Sequence, residues 1–430
     1  MKTLIKHGYV VDPATKRSEK ADVLIENGII TKVADTIQAE ADKVIDATGS
    51  YVLPGIIDMH VHLRDPGLEY KETLETGGKA AARGGVTTIC AMPNTKPIID
   101  TKEKVEAVMR RATIESLVHV IQLGSVTKNQ DGEELADIKG MGVAGCVGIS
   151  EDGKSVMNAA LYRKAMKIAA EHRIVVCAHC EDITMVEKGV MNADEKAEEL
   201  GLKGITNAVE DVIIARDILL AKETGVRLHI CHCTTQDSVK MIEAAKKENL
   251  QVTGEVCPHH FILTTEDIVE DHGKYKMNPP LRSKKDVEAL RDGLKNNIID
   301  VIATDHAPHS KDEKECSFKD AMNGIVGIET LACLTYTELV DKGVLTMMQM
   351  VEKLSYNPAK ILGIADEKGS ISEGKTADII IFDPRKVYKI DKTTFLSKGT
   401  NTPFDGRAVK GEVTHTFVDG NLVFTTYNSK

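Results

Sequence analysis

The stretch Gly55-Ile56-Ile57-Asp58-Met59-His60-Val61-His62 opens a pattern that runs through most of the chain. A short apolar run ends in two histidines two positions apart, and the period of two places both on one face of an extended strand. A longer segment of helical periodicity rich in Ala, Lys and Glu follows, and then another apolar, β-branched run. Eight such runs can be counted, at 55–62, 86–92, 117–123, 143–149, 174–179, 227–232, 251–256 and 298–304. Helical segments such as 211–224 and 235–248 lie between them, which predicts parallel strands joined by crossover helices. The fold class expected is α/β, a closed (β/α)8 TIM barrel. An open doubly wound sheet would usually carry a Gly-rich fingerprint after its first strand, and the chain has neither G-x-G-x-x-G nor a P-loop.

The two ends read differently. VVDPATK (10–16), VLIENGIITKV (23–33), DIIIFDP (378–384) and THTFVDGNLVF (414–424) are short alternating strands broken by Asn-Gly and Asp-Gly turn signals. They predict one small β domain formed from both termini, 1–54 and 365–430, flanking the barrel at 55–364. With 55 Lys+Arg against 65 Asp+Glu the formal net charge is -10, and no basic stripe is present, which argues against nucleic acid as a partner. No apolar run approaches the roughly 20 residues of a membrane span, and the opening MKTLIKHGYVVDP lacks the apolar core of a signal peptide. A soluble cytoplasmic protein without membrane contact is expected. Nine cysteines, an odd number, fit a reducing compartment better than a disulfide framework. Cys177, Cys180, Cys231, Cys233 and Cys257 stand beside histidines, but the spacings C-A-H-C and C-H-C alternate in and out of a strand, so these cysteines are expected to be buried fillers.

The chemistry lies at the strand ends. Besides His60 and His62, Asp152 follows the fourth strand in GISEDG, His179 ends the fifth, His232 the sixth and Asp305 the eighth. Six ligand-type side chains at five strand ends converge on the C-terminal rim of a barrel, where barrel active sites lie. Six exceed what one tetrahedral zinc can use, which predicts two Zn2+ per subunit sharing a bridging carboxylate and hydroxide, the second ion held more loosely. The expected reaction is attack of that hydroxide on an amide, with Asp305 shuttling the proton to the leaving nitrogen. His229 sits too early in its strand to reach the rim and is expected in the core, while His259 and His260 are expected to support the site. Arg64, two residues beyond His62, offers a planar fork for a carboxylate. Asn94, Asn278 and His309 are candidate substrate contacts, and the charged, aperiodic segment 306–322 is a candidate lid.

PGIIDMHVHLRDPG (54–67), AMPNT (91–95), MNPPLR (277–282), ATDHAPH (303–309) and GIVGIET (324–330) resemble the motifs of the amidohydrolase superfamily, and within it the dihydroorotases of the shorter bacterial and archaeal type. NPAKILGI (357–364), 368–384 and 401–420 extend the likeness over essentially the whole chain. The resemblance implies reversible ring closure of N-carbamoyl-L-aspartate to (S)-dihydroorotate in pyrimidine synthesis, a homodimer, association with aspartate carbamoyltransferase, and backbone contacts to the ring at Asn323 and Gly324. Many relatives bridge their metals with a carboxylated lysine at the fourth strand. Here the strand ends Val147-Gly148-Ile149-Ser150-Glu151-Asp152, with Lys154 beyond the turn glycine, so Asp152 is the expected bridge. Met322-Asn323 departs from the family's usual Pro-Phe. The rival readings are a hydantoinase, dihydropyrimidinase or allantoinase, whose neutral rings would not use a pocket of Arg64, Asn94 and His309, and a non-catalytic scaffold, in which ligands should be lost.

Overall fold

The computed structural model describes residues 1–426. Seven of the eight barrel strands are Ile56–Val61, Val86–Ala91, Gly148–Ser150, Val175–Ala178, Leu228–Ile230, Val252–Val256 and Val301–Ile302. The remaining one, third in chain order, breaks at Leu123. Its first half, His119–Gln122, pairs in parallel with Val86–Ala91, and its second half, Gly124–Ser125, pairs with Gly148–Ser150. The break joins two sheets that together run round the barrel. Closure comes from a parallel bridge between Val61 and His306, with His62 N donating to the His306 carbonyl at 2.8 Å. Asp58 locks the same seam: it accepts from Thr304 N at 3.1 Å and Thr304 Oγ1 at 2.5 Å. A (β/α)8 barrel carrying a separate β domain is therefore the architecture, as expected from the repeating pattern.

The predicted runs are longer than the strands. The start is displaced furthest at 143–149, whose first residue closes the helix Ile138–Val143 while the strand begins at Gly148. Val143 is 72% exposed and Gly145 sits at φ 93°, so an apolar side chain here marks a turn at the barrel floor and not a buried strand. The helices follow their caps. Leu74–Gly84 begins at Thr73, whose hydroxyl accepts from Thr76 N, and ends on Gly85 at φ 81°, a left-handed position suited to glycine.

Both termini enter one eight-stranded sheet. Tyr51–Pro54, just before the barrel, pairs with Lys2–Asp12 on one side and with Ile379–Lys389 on the other, Ile380 opposite Leu53. Ile5, Val10, Val23, Ile25, Ile379, Ile381 and Phe417 form its separate core. The sheet meets the barrel through Gly55 N, which donates to the Asp378 carbonyl at 2.9 Å. The first barrel strand is thus anchored at its start, opposite the end that carries His60 and His62.

Candidate metal centre and active site

Period-two alternation does what the sequence pattern requires of it: Asp58, His60 and His62 share one face of the first strand and all are buried. His60 Nε2 lies 3.1 Å from Asp152 Oδ1 and 3.5 Å from Asp305 Oδ1, and His62 Nε2 lies 3.0 Å from Asp305 Oδ1 and 3.3 Å from Asp152 Oδ2. On the far side of Asp152, His179 Nδ1 is 3.7 Å and His232 Nε2 3.8 Å from Oδ1, and those two ring nitrogens face each other at 2.9 Å. All six predicted ligand-type residues are thus brought together, with Asp152 between the two histidine pairs. Asp152 and His232 also belong to one cluster with His60, and His60, His62 and Asp305 form another, each compact enough to hold a cation.

The donor set fits a metal. His60 Nε2 and Asp152 Oδ1 are buried and have no hydrogen-bond partner among the described residues. Burial opposes a charge on His60, yet Asp152, Glu255 and Asp305 hold its imidazole well above its usual range. Burial likewise resists ionisation of Asp152, and His60, His232 and His62 together outweigh it, holding the carboxylate well below its usual range. A pocket whose carboxylates demand positive charge between them, lined by inward-facing ring nitrogens, matches the chemistry of a His and carboxylate site for a divalent ion.

Behind these residues stands a layer that sequence reasoning missed. Glu255, fully buried in the seventh strand, accepts from His60 Nδ1 at 2.7 Å, His229 Nε2 at 3.0 Å and His232 N at 3.2 Å. With one proton of His60 kept on Nδ1 by Glu255, its Nε2 would present a lone pair to a cation that takes the place of the second proton. Asn94 does the same for His62, its Oδ1 accepting from Nδ1 at 2.9 Å while its Nδ2 donates to Asp152 Oδ2 at 3.3 Å. Glu181 accepts from His179 Nε2 at 3.3 Å and from Asn278 Nδ2 at 3.0 Å. Outer partners of this kind fix imidazole tautomers and raise ligand basicity. Glu255 had one legible signal, a charge inside an otherwise uncharged barrel strand, which is costly unless it is paired. Glu181 had none beyond standing two residues after His179. His229 is core, as expected, but it is tied to the centre through Glu255.

A cavity of about 110 Å³ opens on this cluster, and every predicted site residue except His60 and His309 lines it, together with Gly153 and Ala307. His60 lies beneath it. Arg64 reaches it, though not through strand alternation: the strand stops at Val61 and Arg64 stands at φ 61°. Its Nε donates to the Pro308 carbonyl at 3.3 Å, while Asp65 is paired with Arg111 and Glu69 accepts from Gly67 N, so neither acidic neighbour takes the guanidinium. His309 packs behind Arg64. Its Nε2–H donates to the Asn323 carbonyl at 2.8 Å, and its Nδ1 accepts from Lys71 Nζ at 3.1 Å. Burial, then Arg64 and Lys71, push this imidazole down to about 2, so it is neutral. The Met322-Asn323 departure leaves this contact intact because it uses a backbone carbonyl. Gly324 sits at φ 125° with Ala307 Cβ only 2.4 Å from where its own Cβ would be, so a side chain there would collide with the wall of the cavity.

The 306–322 segment is held down. It contains the short helix Lys311–Lys314, Lys314 Nζ donates to the Lys276 and Met322 carbonyls at 2.9 and 2.7 Å, and Glu313 pairs with Lys71 at 2.8 Å.

Comparison with known proteins agrees with this geometry. The sequence profile of the amidohydrolase family matches residues 51–423. The chain is 46% identical over 420 residues to a dihydroorotase of Acetivibrio thermocellus, covering 98% of each chain, and 47% identical over 423 residues to a dihydroorotase of Pelotomaculum thermopropionicum, again covering 98% of each. Among solved structures, the L-hydantoinase (dihydropyrimidinase) of Arthrobacter aurescens superposes with a TM-score of 0.90 at 29% identity, over 99% of this chain and 96% of that one. The chain belongs to the amidohydrolase family, and within it to the group of its dihydroorotase relatives. It is a cyclic amidohydrolase in fold and in site chemistry.

Proposed function

We propose that this protein interconverts (S)-dihydroorotate and N-carbamoyl-L-aspartate, with a centre of two Zn2+ held by His60, His62, Asp152, His179, His232 and Asp305. The observation that carries the reaction is full-length likeness at 46–47% to dihydroorotases, against 29% to the hydantoinase with which the fold superposes. His60, His62 and Asp305 would hold one ion and His179 and His232 the other, with Asp152, which lies near both histidine pairs, taking the part that a lysine plays in other amidohydrolases. When bound, divalent cations acidify water and polarise an amide carbonyl.

The chain's own residues supply the rest. Arg64 receives the ring carboxylate through its guanidinium, beside a neutral His309 whose protonated Nε2 is already committed to Asn323. Asn278 and the backbone at Asn323 and Gly324 contact the ring amides. Asp305, whose Oδ1 lies 3.0 Å from His62 Nε2, takes up the proton released by the attacking water on its carboxylate and returns it to the departing ring nitrogen. In the direction of synthesis the same carboxylate removes a proton from the ureido nitrogen as the ring closes.

The test is the loss of dihydroorotate absorbance at the ring-amide band, followed with metal-loaded wild type and Asp305→Asn, with hydantoin and allantoin as competitors. Turnover in wild type, a loss of about 10²- to 10⁴-fold in the variant and little action on the neutral rings are expected. Preference for hydantoin or allantoin would move the assignment to a sister amidase. The resemblance in the motifs further supports a cytoplasmic homodimer and association with aspartate carbamoyltransferase, which sedimentation of the chain alone and with that enzyme tests. No helix among the described residues is long and apolar enough to cross a membrane.

A further inference from the structure

Cys257 differs from the cysteines within regular strands, because Cys257-Pro258-His259-His260 crosses from the seventh strand into the short helix Pro258–Ile262. At this junction the backbone turns, and three side chains that a strand would send to opposite faces converge. One ligand atom from each of Cys257, His259 and His260 lies within 4.8 Å of the others. Their residues are only 0%, 2% and 2% exposed. The two imidazoles stand with centroids 4.1 Å apart and planes tilted by 58°.

The hydrogen bonding fixes which atoms are vacant. His260 Nε2 donates to the Pro279 carbonyl at 2.9 Å, so its proton is on Nε2 and Nδ1 is a bare lone pair. That Nδ1, and His259 Nε2, are buried with no hydrogen-bond partner among the described residues. Buried polar atoms in native proteins are nearly always satisfied, and here two go unsatisfied in one cluster with a buried thiol. None of the three residues lines the cavity of the proposed active site.

We infer that Cys257, His259 and His260 form a further metal site, separate from the His and carboxylate centre, that takes a thiophilic divalent cation of the zinc type. A thiolate and two imidazoles are a donor set for Zn2+ and not for Mg2+ or Ca2+. Binding forms a metal–sulfur bond and releases the thiol proton to solvent, with no change of oxidation state. The His260 Nε2–Pro279 bond supplies the outer partner that orients a ligating imidazole. Occupancy would staple the end of the seventh strand to the 277–282 segment that carries Asn278.

Cobalt(II) is the probe, because thiolate ligation gives a near-ultraviolet charge-transfer band that a His and carboxylate centre lacks. The full-length protein is stripped with a chelator, kept reduced with a phosphine and titrated with Co2+. Wild type is expected to show the band and to bind one equivalent more than Cys257→Ser, which loses it. Cys231, near His60 and Glu255, is the other thiol that could give such a signal, so Cys231→Ser is the control and is expected to keep the band. Absence of the band in wild type, or its loss in Cys231→Ser with retention in Cys257→Ser, overturns the assignment. Should Cys257→Ser fail to fold, His260→Asn is expected to shift or abolish the band, and an unchanged spectrum refutes the site.

Discussion

Replacing Glu255 by Gln removes one charge from the deepest layer of the site while keeping its volume. The carboxylate has no exposure and three donors aimed at it, from His60 Nδ1, His229 Nε2 and His232 N. Burial opposes its ionisation, but His60 and His229 hold it well below the usual carboxylate range, so it is an anion at neutral pH. A glutamine oxygen can keep the His60 bond. Its amide N–H₂ then faces His229 Nε2, which can become an acceptor because His229 Nδ1 faces the Thr253 hydroxyl at 2.8 Å, a group able to accept in turn. The network therefore survives with a tautomer switch, and the main loss is the negative charge that makes His60 Nε2 a strong donor to a cation. Outer partners of metal-binding histidines are worth about 10–100-fold in affinity or activity, or about 1.4–2.7 kcal/mol. Glu255→Gln should lower kcat/KM for dihydroorotate and metal affinity within that range, whereas Thr253→Val, whose hydroxyl meets His229 and the Leu228 carbonyl but none of the six residues at the centre, should change metal affinity less than about threefold. The assays are initial rates on dihydroorotate and metal competition against a chromogenic chelator. A Glu255→Gln protein within about threefold of wild type in both would show that Glu255 only fills space and that His60 needs no anionic partner.

Three further outcomes follow from the same geometry. Arg64→Lys, which loses the planar fork, should raise KM for dihydroorotate by about 10–100-fold, the worth of a hydrogen bond to a charged group, with kcat changed far less; equal losses in both would place Arg64 in the chemical step. Burial pushes Lys314 down to about 7, so between that value and the roughly 10.5 of the unfolded chain the unfolded state binds more protons. Its contribution to stability is present in full above about 10.5 and lost as pH falls through about 7, so wild-type stability relative to Lys314→Met should rise by up to about 1.4 kcal/mol per pH unit between pH 7 and 10; a flat difference in urea melts would refute this. Trypsin should cut at exposed Lys311 and Lys319 more slowly in the presence of dihydroorotate, because Glu313 and His309 tie this segment to Lys71 behind the substrate pocket; cleavage at equal rates would count against a lid.

Sequence alone determined the barrel, the sheet built from both termini, and the identity of the six side chains that meet at the rim. The reason is periodicity: a strand's period of two fixes that His60 and His62 share a face, and parallel strands all end on one rim, so residues hundreds of positions apart are forced into one ring. The same period places Asp58 on the face of His60, one step deeper in the strand. What only the tertiary structure decided is everything that depends on a departure from regular backbone or on contacts between strands. Arg64 reaches the pocket through a left-handed residue after the strand has ended, and Lys71 reaches His309 from a loop. The third strand pairs with both neighbours because it breaks at Leu123. Glu255 acquires its role from histidines of two other strands, and Cys257, His259 and His260 converge because the chain turns between strand and helix. Local patterning specifies which way a side chain points within its own element; which group it meets is set by packing between elements, where no sequence period reaches.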